Sequence, residues 1–406
     1  MRLLVPRRRG QILDAYALYW GYQCPRSYCR PLRLTVPDAA PAHRMPAGLL
    51  ALLVTLVVVV VPAVPVWADS IRDREWHLGF LRVAEAHRHS RGAGVVVAVI
   101  DSGVDATHPD LAGSVLPGMD VQPGESNDGR IDIDGHGTGM AGLIAGHGHG
   151  TGNADGVLGI ASQARILPVR DGYHQGPYMA DAIAWATAHS AKVISISQGG
   201  TSGGLLQQQA IDDALAHDIV VVAAAGNIPG TSVEYPAAYP GVVAVSGVDQ
   251  HGDHAEVSAT GPQLVLSAPA VNVMSIGLGH GYGFGNGTSA ATAIVAGAAA
   301  LVRAKYPNLS ATEVVHRLTA TAVDKGQPGR DPVYGYGIVN LIGALTADVP
   351  PLQTTPSTAT KETATATATT PTARAVLSPW LIIGTGLGLM VLAVGGLIVA
   401  VRRRGR

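Results

Sequence analysis

Short apolar runs alternate with amphipathic stretches through the middle of the chain. Five of the runs are rich in β-branched residues and apolar throughout, which is typical of strands buried on both faces of a parallel sheet. They are residues 94–100, 164–170, 191–197, 218–225 and 241–248. Between them, residues 179–190 and 204–218 have the apolar spacing of helices. Strands that alternate with helices predict an α/β domain with a parallel sheet.

Two longer apolar runs lie outside this alternating region and predict segments directed to a membrane. Residues 45–68 are uncharged and end on Val66 and Ala68, which is a secretory signal pattern with a cut before Asp69. An uncleaved signal anchor is the alternative. Residues 377–401 are long enough to span a bilayer as a single helix.

The remaining segments complete the predicted organisation. Residues 402–406 are basic, so the positive-inside rule keeps this tail in the cytoplasm and everything before the span outside. Residues 349–376 are dominated by Thr, Ala and Pro and indicate an extended linker. Residues 1–44 form an N-terminal extension without a clear period, and a translation start at Met45 is the alternative reading. The globular domain is therefore predicted over residues 69–348.

Composition narrows the class of protein. Of the 406 residues, 47% are hydrophobic and 14% charged, which excludes a disordered chain. The formal net charge of −1 gives no reason to expect a nucleic-acid partner. Cys24 and Cys29 both precede the signal-like run, so a processed chain holds no disulfide and depends on its core.

Candidate chemistry begins at the end of the first apolar run. Asp101 directly follows residues 94–100, and ligand sites of parallel sheets form at the carboxyl ends of the strands. A carboxylate there can be partly buried and accept hydrogen bonds. An ordinary aspartate that begins a turn is the alternative for this residue taken alone.

The tetrapeptide HGTG occurs twice, at His136 and at His149. Small apolar residues with helical spacing follow His136, which predicts a histidine at the N-terminus of a buried helix. Gly-rich polar residues follow His149, which predicts a solvated loop. Because a catalytic base must be held by a rigid element, His136 is the better candidate. Weak metal binding by His147 and His149 is the alternative use of the second copy, although no third ligand is evident.

A serine and an asparagine complete the candidate set. Ser289 opens a long helix of small residues, where a hydroxyl is either a plain N-cap or a nucleophile whose oxyanion is stabilised by backbone N–H groups. Asn227 follows the buried run 218–225, and its amide can donate to an oxyanion. Asp, His and Ser thus occur in the chain order of subtilisin-type proteases.

These segments resemble those of the subtilases, the subtilisin-like serine proteases. VAVIDSGVD is similar to the segment around the catalytic Asp, DGHGTGMAGLIAG to that around the catalytic His, and GNGTSAATAIVAG to that around the nucleophile. The resemblance covers about 76–347 and implies a three-layer fold with helices on both sides of a mostly parallel sheet. It implies that Asp101, His136 and Ser289 form the catalytic triad and that Asn227 and the Ser289 N–H form the oxyanion hole.

Further roles follow from the same resemblance. Residues 195–200 resemble the edge strand that pairs with substrate, so Ser195, Ile196, Ser197, Gln198 and Gly199 are the expected substrate-binding residues. No cofactor and no catalytic metal are implied. Structural calcium stays open, because subtilases often bind it while Asp128, Asp132 and Asp134 lack a recognisable calcium-loop spacing.

The overall layout resembles a narrower group, the mycosins. These are membrane-anchored subtilases associated with type VII secretion. The resemblance implies an extracytoplasmic serine endopeptidase on the cell membrane, with a protein or peptide substrate and components of a secretion complex as partners. A weakly active or inactive protease fold that supports such a complex is the alternative function. A general surface protease that degrades environmental protein is another.

Three positions depart from the family pattern. Ala293 stands where a Pro is usual four residues after the nucleophile, Gly139 replaces a second His, and Gln198 replaces an apolar residue. None of the three removes a triad group. The change at Ala293 bears on the geometry of the helix start.

Overall fold

The computed structural model describes residues 71–122, 124, 127–171 and 178–352. The chain divides into two compact units, residues 1–352 and 353–406, and all of the described residues belong to the first. The predicted extension, signal segment, membrane span and basic tail lie outside the described residues, as does the linker beyond residue 352. Within the described part, no helix combines the length and apolarity needed to cross a membrane.

Eleven strands are present among the described residues. In chain order they are β1 (Val96–Asp101), β2 (Met119–Asp120), β3 (His147–His149), β4 (Asp155–Leu158), β5 (Arg165–Arg170), β6 (Val193–Ile196), β7 (Val220–Ala224), β8 (Val243–Val248), β9 (Leu264–Pro269), β10 (Val273–Ile276) and β11 (Tyr282–Gly285). Seven of them form one sheet in the order β2-β5-β1-β6-β7-β8-β9. Every neighbouring pair in this sheet is parallel, which confirms the predicted parallel α/β architecture.

Helices cover both faces of this sheet. In chain order the α-helices of the described segments are α1 (Trp76–Phe80), α2 (Val83–Ala86), α3 (His136–Ala145), α4 (Met179–Ala188), α5 (Leu205–Ala216), α6 (Thr288–Lys305), α7 (Ala311–Ala320) and α8 (Leu341–Thr346). Short 3-10 turns occur at Arg72–Arg74, Pro109–Leu111, Thr151–Asn153 and Leu278–His280.

Alternate side chains of the central strands β1, β6 and β7 enter two separate cores. Val97 and Val99 of β1 join the core that contains α3 and α6, whereas Ala98 and Ile100 join the core that contains α4 and α5. This period of two is the reason that the strands are apolar throughout. A fully buried side chain such as Ile100 stabilises the fold by about 1.5–3 kcal/mol. The result is three layers, helix, sheet and helix.

The predicted elements match the observed ones with small shifts at their ends. Each predicted strand begins one or two residues later in the structure, and both predicted helices are present as α4 and α5. The sequence did not predict β9, whose residues are interrupted by Ser and Pro. The predicted loop at the second HGTG is wrong, because His147–His149 forms β3 and pairs with β4 in a short antiparallel hairpin.

The N-terminal segment is fastened to this hairpin by polar contacts. The Arg72 guanidinium donates to the carbonyl oxygens of Asn153, Asp155 and Gly156 at 3.2, 3.3 and 3.1 Å. The buried carboxylate of Glu75 accepts from the Leu158 N–H at 3.1 Å. Together these bonds secure the chain that precedes β1 against the outside of the domain.

Candidate active site

A buried carboxylate and a buried imidazole meet at the carboxyl edge of β1. Asp101 is the last residue of β1, and its Oδ1 and Oδ2 lie 2.7 and 2.9 Å from Nδ1 of His136. The side chain of Asp101 is fully buried and that of His136 is 2% exposed. A carboxylate on Nδ1 fixes the ring orientation and leaves Nε2 as the reactive nitrogen.

The start of α3 is packed directly against the end of β1. A Cβ on Gly137 would lie 2.1 Å from the carbonyl oxygen of Gly103 and 3.1 Å from Cβ of Asp101. Only a glycine therefore allows this approach, which is the physical reason for a glycine immediately after His136. The close contact fixes the ring of His136 relative to Asp101.

Asp132 holds the backbone around His136. Its Oδ1 accepts hydrogen bonds from the Gly135 N–H at 2.9 Å and the Ser102 hydroxyl at 2.9 Å. Its Oδ2 accepts from both the N–H and the hydroxyl of Thr138, at 2.9 and 2.6 Å. The carboxylate thus ties the first turn of α3 to the end of β1, and the favourable placement of an anion at a helix N-terminus supports the arrangement. In the sequence, Asp132 was weighed only as a calcium ligand; its spacing before His136 and Thr138 was the available signal for this role.

Opposing effects act on the pKa of His136. Burial lowers this pKa, but the charge of Asp101 and the hydrogen bond to it raise it, and the charges of Asp134 and Asp132 raise it further. The net result is a pKa above the usual value of 6.5. The imidazolium form is therefore stabilised, as a base that accepts a proton requires.

Ser289 is not the N-cap of its helix. Gly287 occupies the N-cap position of α6, Ser289 is the second helical residue, and its hydroxyl donates to the Ser197 carbonyl oxygen at 2.8 Å. The N-cap reading of this serine is wrong, because the hydroxyl is directed at the sheet edge and not at its own helix. The helix runs without interruption past Ala293, so the residue that replaces the usual Pro continues regular backbone.

The amide of Asn227 has a fixed orientation. Its Oδ1 accepts from the Thr288 N–H at 2.8 Å and from the Thr288 hydroxyl at 3.0 Å. Nδ2 is on the other branch, 3.1 Å from where a Cβ on Gly287 would lie. A donor is therefore held at the start of α6, beside Ser289. Thr288, which sequence reasoning did not single out, selects this orientation.

The four groups converge on one edge of the sheet. In the register of β1 and β6, Ile100 pairs with Ile196, so Asp101 and Ser197 are the next residues along adjacent strands. His136 reaches Asp101, and Ser289 reaches Ser197. Helices α3 and α6 pack against each other, and a small cavity beside His136 is lined by Ala290, Ser275 and Gly285 among others.

The predicted edge strand is wrong in its first half. Ser195 and Ile196 lie in β6, whose two sides are paired with β1 and β7, and both residues are buried. Their backbone groups are used in the sheet and are not available to a substrate. The pairing of β6 ends at Ile196, and the substrate-binding role of Ser197, Gln198 and Gly199 stays a prediction.

Gln198 has a polar partner where an apolar residue was expected. Its Nε2 donates to Oδ2 of the buried Asp171 at 2.6 Å. The Nε2 group of Gln198 therefore has a hydrogen-bond partner within the protein, although the subtilase pattern has an apolar residue at this position.

The second HGTG is built differently from the first. Nδ1 of His149 lies 2.6 Å from Oδ1 of Asp110, whose Oδ2 accepts from the Val157 N–H at 2.8 Å. The side chain of His149 is 40% exposed, and Asp110 is buried. The Asp110 carboxylate thus connects His149 of β3 to Val157 of β4. In the described part of the chain, no group of three or more His, Cys, Asp or Glu side chains is arranged to hold a metal ion.

A parallel α/β sheet with Asp, His and Ser side chains at its carboxyl edge is typical of serine peptidases. Comparison with known proteins gives the family: residues 92–337 match the model of the Subtilase family, and the chain belongs to that family. It is a serine endopeptidase, as are the relatives that follow.

Subtilisin DY of Bacillus licheniformis is 40% identical over 262 residues, which are 63% of this chain and 92% of the relative. Among solved structures, the serine protease MycP1, an essential component of the type VII (ESX-1) secretion system, matches with a TM-score of 0.60 and 32% identity. That match covers 70% of this chain and 90% of MycP1. The MycP3 protease from the type VII (ESX-3) secretion system matches with a TM-score of 0.59 and 32% identity, covering 71% and 91%.

Proposed function

We propose that this subtilase is a membrane-anchored, extracytoplasmic endopeptidase of the mycosin type, with Asp101, His136 and Ser289 as its catalytic triad. The observation that carries the proposal is the buried 2.7 Å contact between His136 and Asp101 at the sheet edge that also holds Ser289. Mycosins among the structural neighbours and the predicted span at 377–401 support the anchored form.

In the proposed reaction, the Ser289 hydroxyl attacks the carbonyl carbon of a peptide bond. For this step, rotation about the Cα–Cβ bond of Ser289 moves the hydrogen bond of its hydroxyl from the Ser197 carbonyl oxygen to Nε2 of His136. His136 takes the proton as the carbon–oxygen bond forms and returns it to the leaving amine as the peptide bond breaks. Asp101 keeps Nδ1 protonated and stabilises the imidazolium. Water then hydrolyses the acyl-enzyme by the same steps in reverse.

The developing negative charge falls on the former carbonyl oxygen. Nδ2 of Asn227 and the N–H of Ser289 are the donors we assign to it. Because Thr288 holds Asn227 in position before the substrate arrives, little reorganisation is needed in the transition state. The N-terminal end of α6 adds a favourable dipole.

The substrate backbone binds along residues 197–199 as an added strand. These residues directly follow Ile196, the last position at which β6 pairs with β1 and β7. A protein or peptide in extended conformation is the substrate class that fits. Components of a type VII secretion complex are the partners suggested by the neighbours MycP1 and MycP3.

Active-site labelling of the purified full-length chain tests the proposal. An uncharged fluorophosphonate is added to the wild type, to Ser289→Ala and to Ser195→Ala, and adducts are measured by intact-protein mass spectrometry. Ser195 is the matched control, since its hydroxyl is buried and has no hydrogen-bond partner among the described residues. We expect labelling of the wild type and of Ser195→Ala but none of Ser289→Ala. A folded wild type that takes no label would favour the scaffold function instead.

A further inference from the structure

Glu234 closes a gap between two strand ends at the candidate active site. A Cβ on Gly226 would lie 2.8 Å from Cδ of Glu234, and a Cβ on Gly199 would lie 3.1 Å from its Oε2. Gly226 immediately precedes Asn227, and Gly199 is the end of the proposed substrate-binding stretch. The carboxylate therefore lies between the proposed oxyanion donor and the proposed substrate strand.

The backbone holds Glu234 firmly in this place. Its N–H donates to the Ala225 carbonyl at 2.9 Å, and the next residue, Tyr235, exchanges two backbone hydrogen bonds with Gly200 at 2.7 and 2.8 Å. These bonds connect the segment that carries Glu234 to Ala225, which precedes Gly226, and to Gly200, which follows Gly199. The position of the carboxylate is thus built into the fold.

The carboxylate of Glu234 has no internal partner in the described structure. None of the ion pairs or side-chain hydrogen bonds among the described residues involves it, although the residue is half-buried. Burial alone raises the pKa of Glu234. A half-buried carboxylate without a cation carries a desolvation cost that a positively charged ligand would offset.

The geometry of the reaction indicates what enters the gap. The residue whose carbonyl is attacked must place that carbonyl at Ser289 and Asn227. With its backbone along residues 197–199, as proposed, its side chain is directed toward Gly199 and Gly226, the two glycines against which the Glu234 carboxylate lies. Glu234 is the group at the end of that path.

We propose that Glu234 determines specificity by selecting Lys or Arg as the residue immediately before the cleaved bond. This inference rests on the proposed function and adds the substrate class to it. An ammonium or guanidinium group would pair with the carboxylate by charge-assisted hydrogen bonds, and an acidic side chain would be repelled.

Peptide substrates that differ only in this residue test the inference. The full-length wild type, Glu234→Gln and Glu256→Gln are assayed with peptide nitroanilides that end in Arg, Lys, Leu or Glu before the scissile bond. Glu256 is an exposed glutamate and serves as the matched control. We expect the wild type to prefer Arg and Lys, and Glu234→Gln to lower the Arg-to-Leu ratio of kcat/KM by about 10- to 100-fold, the range for a hydrogen bond to a charged group. Glu256→Gln should keep the wild-type ratio.

Labelling by an uncharged fluorophosphonate separates the two claims. If the wild type is labelled at Ser289 but cleaves the Leu peptide as well as the Arg peptide, the specificity inference is overturned and the proposed function stands. If Glu234→Gln is labelled and keeps the wild-type ratio, the inference is overturned as well. If neither labelling nor cleavage of any peptide occurs in a folded wild type, the proposed function fails and the inference fails with it.

Discussion

The two HGTG segments have the same four residues and the same kind of partner, yet we propose a catalytic role for only the first. Each histidine contacts a buried aspartate through Nδ1, His136 with Asp101 at 2.7 Å and His149 with Asp110 at 2.6 Å. The difference lies in the surroundings, since the first ring is buried at a strand end beside a helix start and the second is 40% exposed on a hairpin. A His–Asp pair is therefore not a catalytic site unless a nucleophile and an oxyanion donor share its position.

Removing the charge of Asp101 or of Asp110 should give the largest difference in activity between the two His–Asp pairs. Asp101→Asn is expected to lower kcat by about 10⁴, because an amide favours the wrong tautomer of the base. Asp110→Asn should leave peptide hydrolysis within about threefold of the wild type, which is less than about 1 kcal/mol in the barrier, because the Asp110 carboxylate contacts His149 and the Val157 N–H of the hairpin and not the proposed triad. Steady-state kinetics with one peptide substrate, together with circular dichroism to confirm folding, measures both. Equal losses in the two variants would contradict the comparison.

The proposed oxyanion donor, Asn227, belongs to the site of the first pair. Asn227→Ala should lower kcat by about 10²–10³ with a small change in KM, because the lost hydrogen bond acts mainly in the transition state. Asn153→Ala, a change beside the second pair, is the control and should leave kcat near the wild-type value. A large rise in KM for Asn227→Ala with normal kcat would instead indicate a role in ground-state binding.

The pair of His149 and Asp110 should contribute to the free energy of unfolding. Asp110→Ala leaves the Val157 N–H buried without its acceptor and should lower the free energy of unfolding by about 1–3 kcal/mol. His149→Ala, which keeps that acceptor, should have a smaller effect. Urea denaturation followed by fluorescence gives both values. A destabilisation by His149→Ala as large as that by Asp110→Ala would show that the contact between the His149 and Asp110 side chains, and not the contact of Asp110 with the Val157 N–H, holds the hairpin.

The smallest expected effect concerns pH. Asp134 contributes to the raised pKa of His136 through its charge. In the proposed mechanism the neutral form of His136 is the active base, so kcat/KM should fall as pH drops through a pKa above 6.5. Asp134→Asn removes one negative charge and should move that midpoint to lower pH. Asp128→Asn, a change at an exposed ion pair with Arg130, is the control and should leave the midpoint unmoved. A midpoint that rises in Asp134→Asn would contradict the electrostatic explanation.

Much of the site was predictable because its residues border elements with strong local signals. Asp101 ends an apolar strand, His136 begins a helix of small residues, and Ser289 is in the first turn of another. Because parallel strands bring their carboxyl ends to one edge, the positions of Asp101 and Asn227 after buried strands predict that both lie at that edge.

Other features depend on which elements become neighbours, and the local pattern does not contain that information. Residues 195–200 were predicted as an edge strand, but β6 lies between β1 and β7, and an apolar run reads the same in either place. His149 was assigned to a loop because Gly-rich polar residues follow it, and its partner Asp110, 39 residues away, gives no local signal of a hairpin. Glu234 carries no local signal, and its position becomes meaningful only beside Gly199 and Gly226.

The central claim is that His136, and not His149, activates Ser289, and the rate of fluorophosphonate labelling tests it most directly because labelling requires no turnover. The rate would be measured for the full-length wild type, His136→Ala and His149→Ala under one set of conditions. We expect His149→Ala to be labelled at the wild-type rate and His136→Ala to remain unlabelled over the period that modifies the wild type completely. Rapid labelling of His136→Ala, or loss of labelling in a folded His149→Ala, would contradict the account.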